Sequence, residues 1–145
     1  PNQHYTIVTS GANIAIELSQ RSKSTVSCVG GQISSSTLSL SGPQAEAFLA
    51  TVNIDTAVLA ATGYSAGAGF TVGSYTENSL KRRVIQKADK VILLIDRSKL
   101  GRTLPFTFAS LSDIDVVICD APLPEDFIQA ARAAGTEVLQ VQPAK

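Results

Sequence analysis

Short apolar runs alternate along the chain with longer stretches in which apolar residues recur every three or four positions. The short runs are typical of buried strands, and the longer stretches are typical of helices with one apolar face. Strands are predicted at residues 5–9, 25–29, 37–40, 56–60, 91–95, 106–108, 116–119 and 138–140. Helices are predicted at residues 11–20, 43–50, 75–88 and 123–134.

This alternation predicts an α/β fold with a mostly parallel sheet and helices on both of its faces. The stretch 62–73 is rich in glycine and small residues, so it is predicted to be a loop with a short strand near Phe70. No internal repeat or long linker interrupts the pattern. Residues 1–145 are therefore expected to form one domain.

The composition is that of an ordinary globular domain. The chain has 145 residues, of which 44% are hydrophobic and 17% charged, and this size allows a core without disulfide or metal support. Cys28 and Cys119 lie in apolar runs, so both are expected to be buried, reduced thiols. His4 is the only histidine, which argues against a metal site and a Ser–His hydrolase, and no cofactor is expected.

The charge is balanced overall but uneven along the chain. A net charge of zero argues against DNA binding by this segment alone. Residues 81–102 nevertheless hold eight of the 12 basic residues. A solvated helix face and loop explain most of them, and an anionic small ligand would explain the remainder. With no apolar run of membrane-spanning length and no signal peptide, a cytoplasmic protein without a membrane partner is expected.

Candidate binding residues follow the predicted strands, because ligands of open parallel sheets bind beyond the carboxyl ends of the strands. Thr9, Ser10 and Gly11 lead from the first strand into a helix, whose free N–H groups and positive dipole end suit a phosphate. Ordinary N-capping by Ser10 is the alternative. Glycines follow two further strands: Gly30, Gly31 and Gly63.

The helix at residues 75–88 carries a second candidate group. Its apolar residues recur at spacing four and predict a face that meets the sheet. Glu77 and Lys81 continue this face towards the start of the helix, where Glu77 would hold sugar hydroxyls and Lys81 an anionic group. An exposed ion pair between them is the alternative.

Asp96 and Lys99 come directly after the strand at residues 91–95. Lys99 is a candidate phosphate partner because its ammonium group is a compact point charge, and Asp96 would orient it. Turn capping by Asp96 is the alternative explanation.

With these features, the chain resembles the C-terminal sensor domain of the DeoR family of bacterial transcriptional regulators. The most specific matches are Leu-Ile-Asp-Arg-Ser-Lys-Leu-Gly-Arg at residues 94–102 and Leu-Ser-Asp-Ile-Asp at residues 111–115. Further matches, in chain order, are residues 39–43, 45–46, 55, 69–71 and 77–82. The resemblance covers almost the whole chain.

The resemblance implies a Rossmann-like fold akin to ribose-5-phosphate isomerase, glucosamine-6-phosphate deaminase and CoA transferases. It implies a repressor in which a winged helix-turn-helix precedes this domain and binds operator DNA. That part is expected to lie outside this chain, in keeping with a start at Pro1 rather than Met. It further implies a homo-oligomer and a phosphorylated sugar as effector. The family's ligand-facing positions correspond to Thr9, Ser10, Gly11, Gly30, Gly31, Gly63, Glu77, Lys81 and Lys99.

One position departs from the family pattern. The family usually has an acidic residue before the glycine that Gly63 matches, and here that residue is Thr62. A hydroxyl group cannot act as a general base near neutral pH without activation. We therefore expect a sensor without catalytic residues. A sugar-phosphate isomerase and an oligomerisation module with a vestigial pocket are the alternatives.

Overall fold

The computed structural model describes residues 3–120 and 122–142. The chain divides into two compact units, residues 1–52 and residues 53–145, which are described separately. The elements of the first unit are β1 (Thr6–Thr9), α1 (Ala12–Arg21), β2 (Thr25–Cys28), β3 (Gln32–Ile33), β4 (Leu40–Ser41) and α2 (Pro43–Leu49).

In the first unit β1 and β2 form a parallel pair, and β3 and β4 form an antiparallel pair. The strand predicted at residues 37–40 is wrong in its bounds, because most of that stretch belongs to the turn between β3 and β4. Leu38 lies in this turn with φ of 57°, and its N–H donates to the carbonyl oxygen of Ser34. No side chain of α1 is buried among the described residues, and Ile14 is 47% exposed.

The second unit contains the longer strands. Its elements are β5 (Ile54–Ala60), β6 (Gly63–Ser65), β7 (Gly69–Val72), α3 (Tyr75–Lys87), β8 (Ala88–Ile95), a 3₁₀ turn (Arg97–Lys99), β9 (Phe106–Ala109), a second 3₁₀ turn (Leu111–Asp113), β10 (Val116–Cys119), α4 (Glu125–Ala134) and β11 (Glu137–Gln140). Strands β5, β8, β10 and β11 form one sheet in the order β11-β10-β8-β5, with every neighbouring pair parallel. The predicted α/β class and parallel sheet are confirmed.

A second, antiparallel sheet in the order β6-β7-β9 was not predicted. The stretch taken for a loop is largely a hairpin, in which Tyr64 pairs with Phe70 and their rings lie 4.8 Å apart between centroids. The glycines that indicate a loop in the sequence instead allow the turn of this hairpin and its close packing against neighbouring backbone. Gly69, for example, has φ of 78°, a conformation that side-chain-bearing residues rarely adopt.

The core of the second unit lies between the parallel sheet and the elements packed on one of its faces. Alternate residues of β8, Val91 and Leu93 among them, enter this core together with Phe127 of α4, and α3 packs against β5 and β9. Side chains on the opposite face of the sheet, such as Val58 and Leu94, are exposed. The parallel strands therefore form a platform that positions α3 over their ends.

The two cysteines differ in their surroundings. Cys119 is buried as expected, whereas Cys28 is exposed at the end of β2, so the prediction for Cys28 is wrong. A run of apolar letters does not show which face of a two-stranded pair is covered. Across the described ranges, no helix is long and apolar enough to cross a membrane.

Candidate functional site

The start of α3 lies over the carboxyl end of β5. Lys81 Nζ donates a hydrogen bond of 2.8 Å to the carbonyl oxygen of Ala60, the last residue of that strand. The helix begins at this edge because Ser74 caps it, accepting a hydrogen bond from the Glu77 N–H. Leu80 is buried and anchors the same region of the helix. The hydrogen bond from Lys81 therefore connects the start of α3 to the carboxyl end of β5.

The ammonium group of Lys81 lies in partly buried surroundings. The side chain is half-buried, and its Nζ lies 5.4 Å from the centroid of the Phe108 ring. Burial lowers the pKa of Lys81, and the opposing influence of the Glu77 carboxylate is weaker. A cation in such surroundings gains more from an approaching anion than a fully hydrated one does, because the intervening dielectric constant is lower.

The segment after β8 places a carboxylate and a second ammonium at the same edge of the sheet. Asp96 Oδ1 accepts a hydrogen bond of 2.9 Å from the Ser98 N–H and another from the Ser98 hydroxyl. These hydrogen bonds, led by that of the hydroxyl, hold the pKa of Asp96 below its usual value. Lys99 Nζ lies 3.9 Å from Asp96 Oδ2. Asp96 therefore caps the turn through one carboxylate oxygen, and its other oxygen lies near the Lys99 ammonium group.

Backbone contacts connect this segment to the residues that follow β5. The N–H of Gly101 donates to the carbonyl oxygen of Tyr64 at 2.8 Å. Because Ala60 and Leu94 are register partners in parallel strands, the residues just beyond them emerge at the same edge. The structure therefore brings four of the predicted residues to one edge of one unit: Glu77, Lys81, Asp96 and Lys99.

Gly63 has a structural explanation. A Cβ atom at this position would lie 2.6 Å from the carbonyl oxygen of Arg102 and 2.6 Å from a methyl group of Leu104. The preceding Thr62 is half-buried, and its N–H donates to the carbonyl oxygen of Thr71. The glycine is thus required by the close approach of the residue 102–104 segment, whether or not a ligand is bound.

The remaining predicted residues belong to the first unit. Gly11, not Ser10, is the N-cap of α1, so the capping role considered for Ser10 is wrong. The Gly11 N–H donates to Thr9 Oγ1 at 3.1 Å, and the Ala12 N–H donates to the carbonyl oxygen of Leu38 at 2.9 Å. Protein acceptors therefore already engage two amides at the end of α1 that was predicted to suit a phosphate.

The glycine pair after β2 divides into two cases. Gly31 has φ of 119°, and a Cβ atom there would lie 2.5 Å from the carbonyl oxygen of Ser41, so the fold itself requires this glycine. Gly30 is open, and its nearest neighbour, Cβ of Gln44, is 4.0 Å away. Of the two, only Gly30 leaves room for another group to approach its α-carbon.

The sequence pattern does not identify Asn78 as a candidate site residue. It lies in α3, one residue after Glu77, and is 7% exposed. Its Oδ1 atom is buried and has no hydrogen-bond partner among the residues that the structure describes. An unsatisfied buried acceptor costs about 1–3 kcal/mol. Its position beside Glu77 and Lys81 was the available signal, because the apolar periodicity of the helix does not single it out.

The described part of the chain contains no group of three or more His, Cys, Asp or Glu side chains suited to a metal ion.

Residues 1–121 match the family model described as the DeoR C-terminal sensor domain. The chain is also similar to curated transcriptional regulators. It is 36% identical over 132 residues to the HTH-type transcriptional regulator GlpR of Haloferax volcanii, covering 91% of this chain and 51% of that protein.

Two further relatives are repressors. The identity is 31% over 134 residues with the HTH-type transcriptional repressor GlcR of Bacillus subtilis, covering 92% of this chain and 52% of GlcR. It is 28% over 123 residues with the glycerol-3-phosphate regulon repressor of Escherichia coli K12, covering 85% of this chain and 49% of that repressor. The chain thus spans about half the length of these relatives, all of which are regulators rather than enzymes.

Proposed function

Because the chain belongs to the DeoR family of transcriptional regulators as a C-terminal sensor domain, we propose that it binds a phosphorylated sugar or a related sugar phosphate without converting it. The ligand-binding edge comprises the start of α3 and the segment after β8. Lys81 and Lys99 bind the phosphoryl group, and Glu77 binds hydroxyl groups. Asp96 orients Lys99. For the residues of the first unit, Thr9, Ser10, Gly11, Gly30 and Gly31, a role in ligand binding stays a prediction from the sequence.

The observation that carries this proposal is the environment of the Lys81 ammonium group. Its hydrogen bond to the Ala60 carbonyl oxygen fixes it at the strand ends, and burial lowers its pKa. A phosphoryl group would supply a full counter-charge and charge-assisted hydrogen bonds, each worth about 1.5–3 kcal/mol. The arrangement favours a small dianion over a neutral sugar.

Regulation of DNA binding follows if the ligand prefers one conformation of the regulator. The relatives are HTH-type regulators or repressors and are about twice as long as this chain. We propose that the DNA-contacting part lies outside this chain and that the effector shifts the equilibrium between two states of a homo-oligomer. Such a shift requires a difference in the ligand's affinity for the two states.

Catalysis of isomerisation is the weaker alternative. An isomerase needs a proton acceptor near the substrate carbon, and Thr62 occupies the position where an acid was expected from the family pattern. The curated relatives described above are regulators. Incubation with pentose and hexose phosphates should therefore leave the aldose–ketose ratio unchanged.

Thermal unfolding of the chain with a panel of ligands tests the proposal. The panel contains glycerol 3-phosphate, glucose 6-phosphate, fructose 1-phosphate, inorganic phosphate and the unphosphorylated sugars. A ligand present at 100 times its Kd stabilises the folded state by about 2.7 kcal/mol. At least one phosphate ester should raise the Tm of the wild type, whereas its unphosphorylated parent should not.

The matched variants are Lys81→Met and Arg82→Met. Both remove a positive charge from α3, but Arg82 is exposed. Lys81→Met should abolish the phosphate-dependent rise in Tm, and Arg82→Met should retain it. If no phosphate ester at millimolar concentration stabilises the wild type, or if both variants respond alike, the proposed binding edge is wrong.

A further inference from the structure

Helix α3 carries a buried side-chain oxygen, Oδ1 of Asn78. Asn78 is 7% exposed, and its Oδ1 atom accepts no hydrogen bond within the described residues 3–120 and 122–142. Buried side-chain oxygens in folded proteins are almost always paired, so an unpaired one indicates a partner that is absent from the chain itself. That partner must be a hydrogen-bond donor, because a carbonyl-type oxygen only accepts.

The position of Asn78 connects it to the ligand-binding edge. Residues three apart in an α-helix lie on adjacent turns with Cβ atoms about 5–6 Å apart, which makes Asn78 a neighbour of Lys81 on α3. The ammonium group of Lys81 reaches the Ala60 carbonyl oxygen and the Phe108 ring. An unpaired acceptor and a partly buried cation thus lie on adjacent turns near the start of one helix.

These two groups differ in the part of a ligand that they can bind. The cation suits a phosphoryl oxygen, whereas the neutral amide oxygen repels an anion and suits a hydroxyl donor. We propose that Asn78 Oδ1 accepts a hydrogen bond from a hydroxyl group next to the phosphoryl group of the effector. Asn78 then selects polyhydroxylated phosphate esters over their deoxy analogues. This inference rests on the proposed function and specifies its ligand chemistry.

The burial of the Asn78 oxygen adds a conformational consequence. The atom is out of reach of solvent, so a ligand hydroxyl meets it only if the groups that cover it move. The cap of this helix is weak, since the Ser74 hydroxyl and the Glu77 N–H are 3.5 Å apart. A hydrogen bond that forms only after this movement is a contact with one of two states, which is what an effector needs in order to shift their balance.

Isothermal titration calorimetry with paired phosphate esters tests the assignment. The first pair is glycerol 3-phosphate and propane-1,3-diol monophosphate, and the second is glucose 6-phosphate and 4-deoxyglucose 6-phosphate. Inorganic phosphate serves as the common reference. In at least one pair, the wild type should bind the hydroxylated ester about 5- to 10-fold more tightly, the difference that one neutral hydrogen bond typically makes.

The variant Asn78→Ala should bind both members of that pair within twofold of each other and keep its affinity for inorganic phosphate. Gln86→Ala is the matched control, because it removes an exposed amide side chain from the same helix. It should discriminate like the wild type. Hydrogen exchange of the amides at residues 75–78 should change with the hydroxylated ester and change less with its deoxy partner.

The outcomes separate the two proposals. If the wild type binds neither phosphate esters nor inorganic phosphate, the proposed function and this inference both fail. If it binds the esters of each pair equally well, only this inference is overturned. That second measurement needs no variant, so it decides the matter even if Asn78→Ala does not fold. Unchanged discrimination in a folded Asn78→Ala variant also overturns the inference.

Discussion

Replacement of Lys81 by methionine separates the cost of burying its charge from the contribution of that charge to ligand binding. Methionine keeps an unbranched apolar side chain of similar length, so the contacts of the stem are largely preserved. The variant loses a charged hydrogen bond, worth about 1.5–3 kcal/mol, and a cation–π contact, worth about 0.5–1 kcal/mol. It also escapes the cost of removing part of the ammonium group from water, because the Lys81 side chain is half-buried.

These opposing contributions nearly cancel. Without ligand, we therefore expect Lys81→Met to change the free energy of unfolding by less than about 1 kcal/mol, as apolar replacements of buried charges often do. With a phosphate ester at 100 times its wild-type Kd, the wild type should gain about 2.7 kcal/mol and the variant should not. Urea unfolding followed by circular dichroism, with and without the ester, measures both quantities.

The pH dependence provides a second readout of the same variant. Because burial lowers the pKa of Lys81 in the folded state, the unfolded chain binds this proton more tightly. The stability of the wild type relative to the variant should therefore rise with pH between the lowered folded pKa and the unfolded value of about 10.4.

Two results would contradict these expectations. A loss of more than about 2 kcal/mol in the free energy of unfolding of ligand-free Lys81→Met would show that the charge is mainly structural. A relative stability that is flat with pH would refute the assumed burial.

Two further substitutions test the packing and the electrostatics of the same edge. Gly63→Ala would place a Cβ atom 2.6 Å from a backbone oxygen, so it should lower the free energy of unfolding by about 1–3 kcal/mol in urea titrations. Gly67→Ala, where no atom lies within 4 Å of the new Cβ, should cost less than about 0.5 kcal/mol, and equal effects would contradict the packing argument. Asp96 has a lowered pKa, so its stabilising contribution is complete above the unfolded pKa of about 3.9 and disappears as the pH falls through the lower folded value. Acid unfolding of Asp96→Asn should lack this small contribution, and a curve identical to that of the wild type would show that the Ser98 contacts do not persist in solution.

A half-buried ammonium group and an unpaired amide oxygen have the same physical significance in this molecule. Each is costly in the free protein, and each cost falls when the complementary group arrives with a ligand. Their adjacency on α3 therefore matters more than either alone. A sensor benefits from such sites because the ligand-free state is less favourable locally, and binding consequently changes the balance between conformations.

Features whose signals are local were predictable from the sequence. The run Val-Val-Ile-Cys at residues 116–119 marked a strand, and β10 spans Val116–Cys119. Helix α3, predicted at residues 75–88, spans Tyr75–Lys87, because its apolar spacing and the preceding serine cap act within a few residues. The positions of Glu77 and Lys81 at its start followed from that spacing. The family resemblance, carried by short motifs in order along the chain, was likewise available without coordinates.

Features that depend on distant partners required the tertiary structure. The hairpin of β6 and β7 was hidden by its glycines, and its antiparallel sheet is completed by β9, more than thirty residues along the chain. Residue 63 must be a glycine because the backbone of Arg102, some forty residues further along the chain, lies 2.6 Å from where a Cβ atom would be. No sequence pattern showed that Asn78 loses its hydrogen-bonding partners or that Lys81 reaches Ala60. Whether a polar group is buried, and what then meets it, depends on which residues become neighbours in space, and the order of letters along the chain does not contain that information locally.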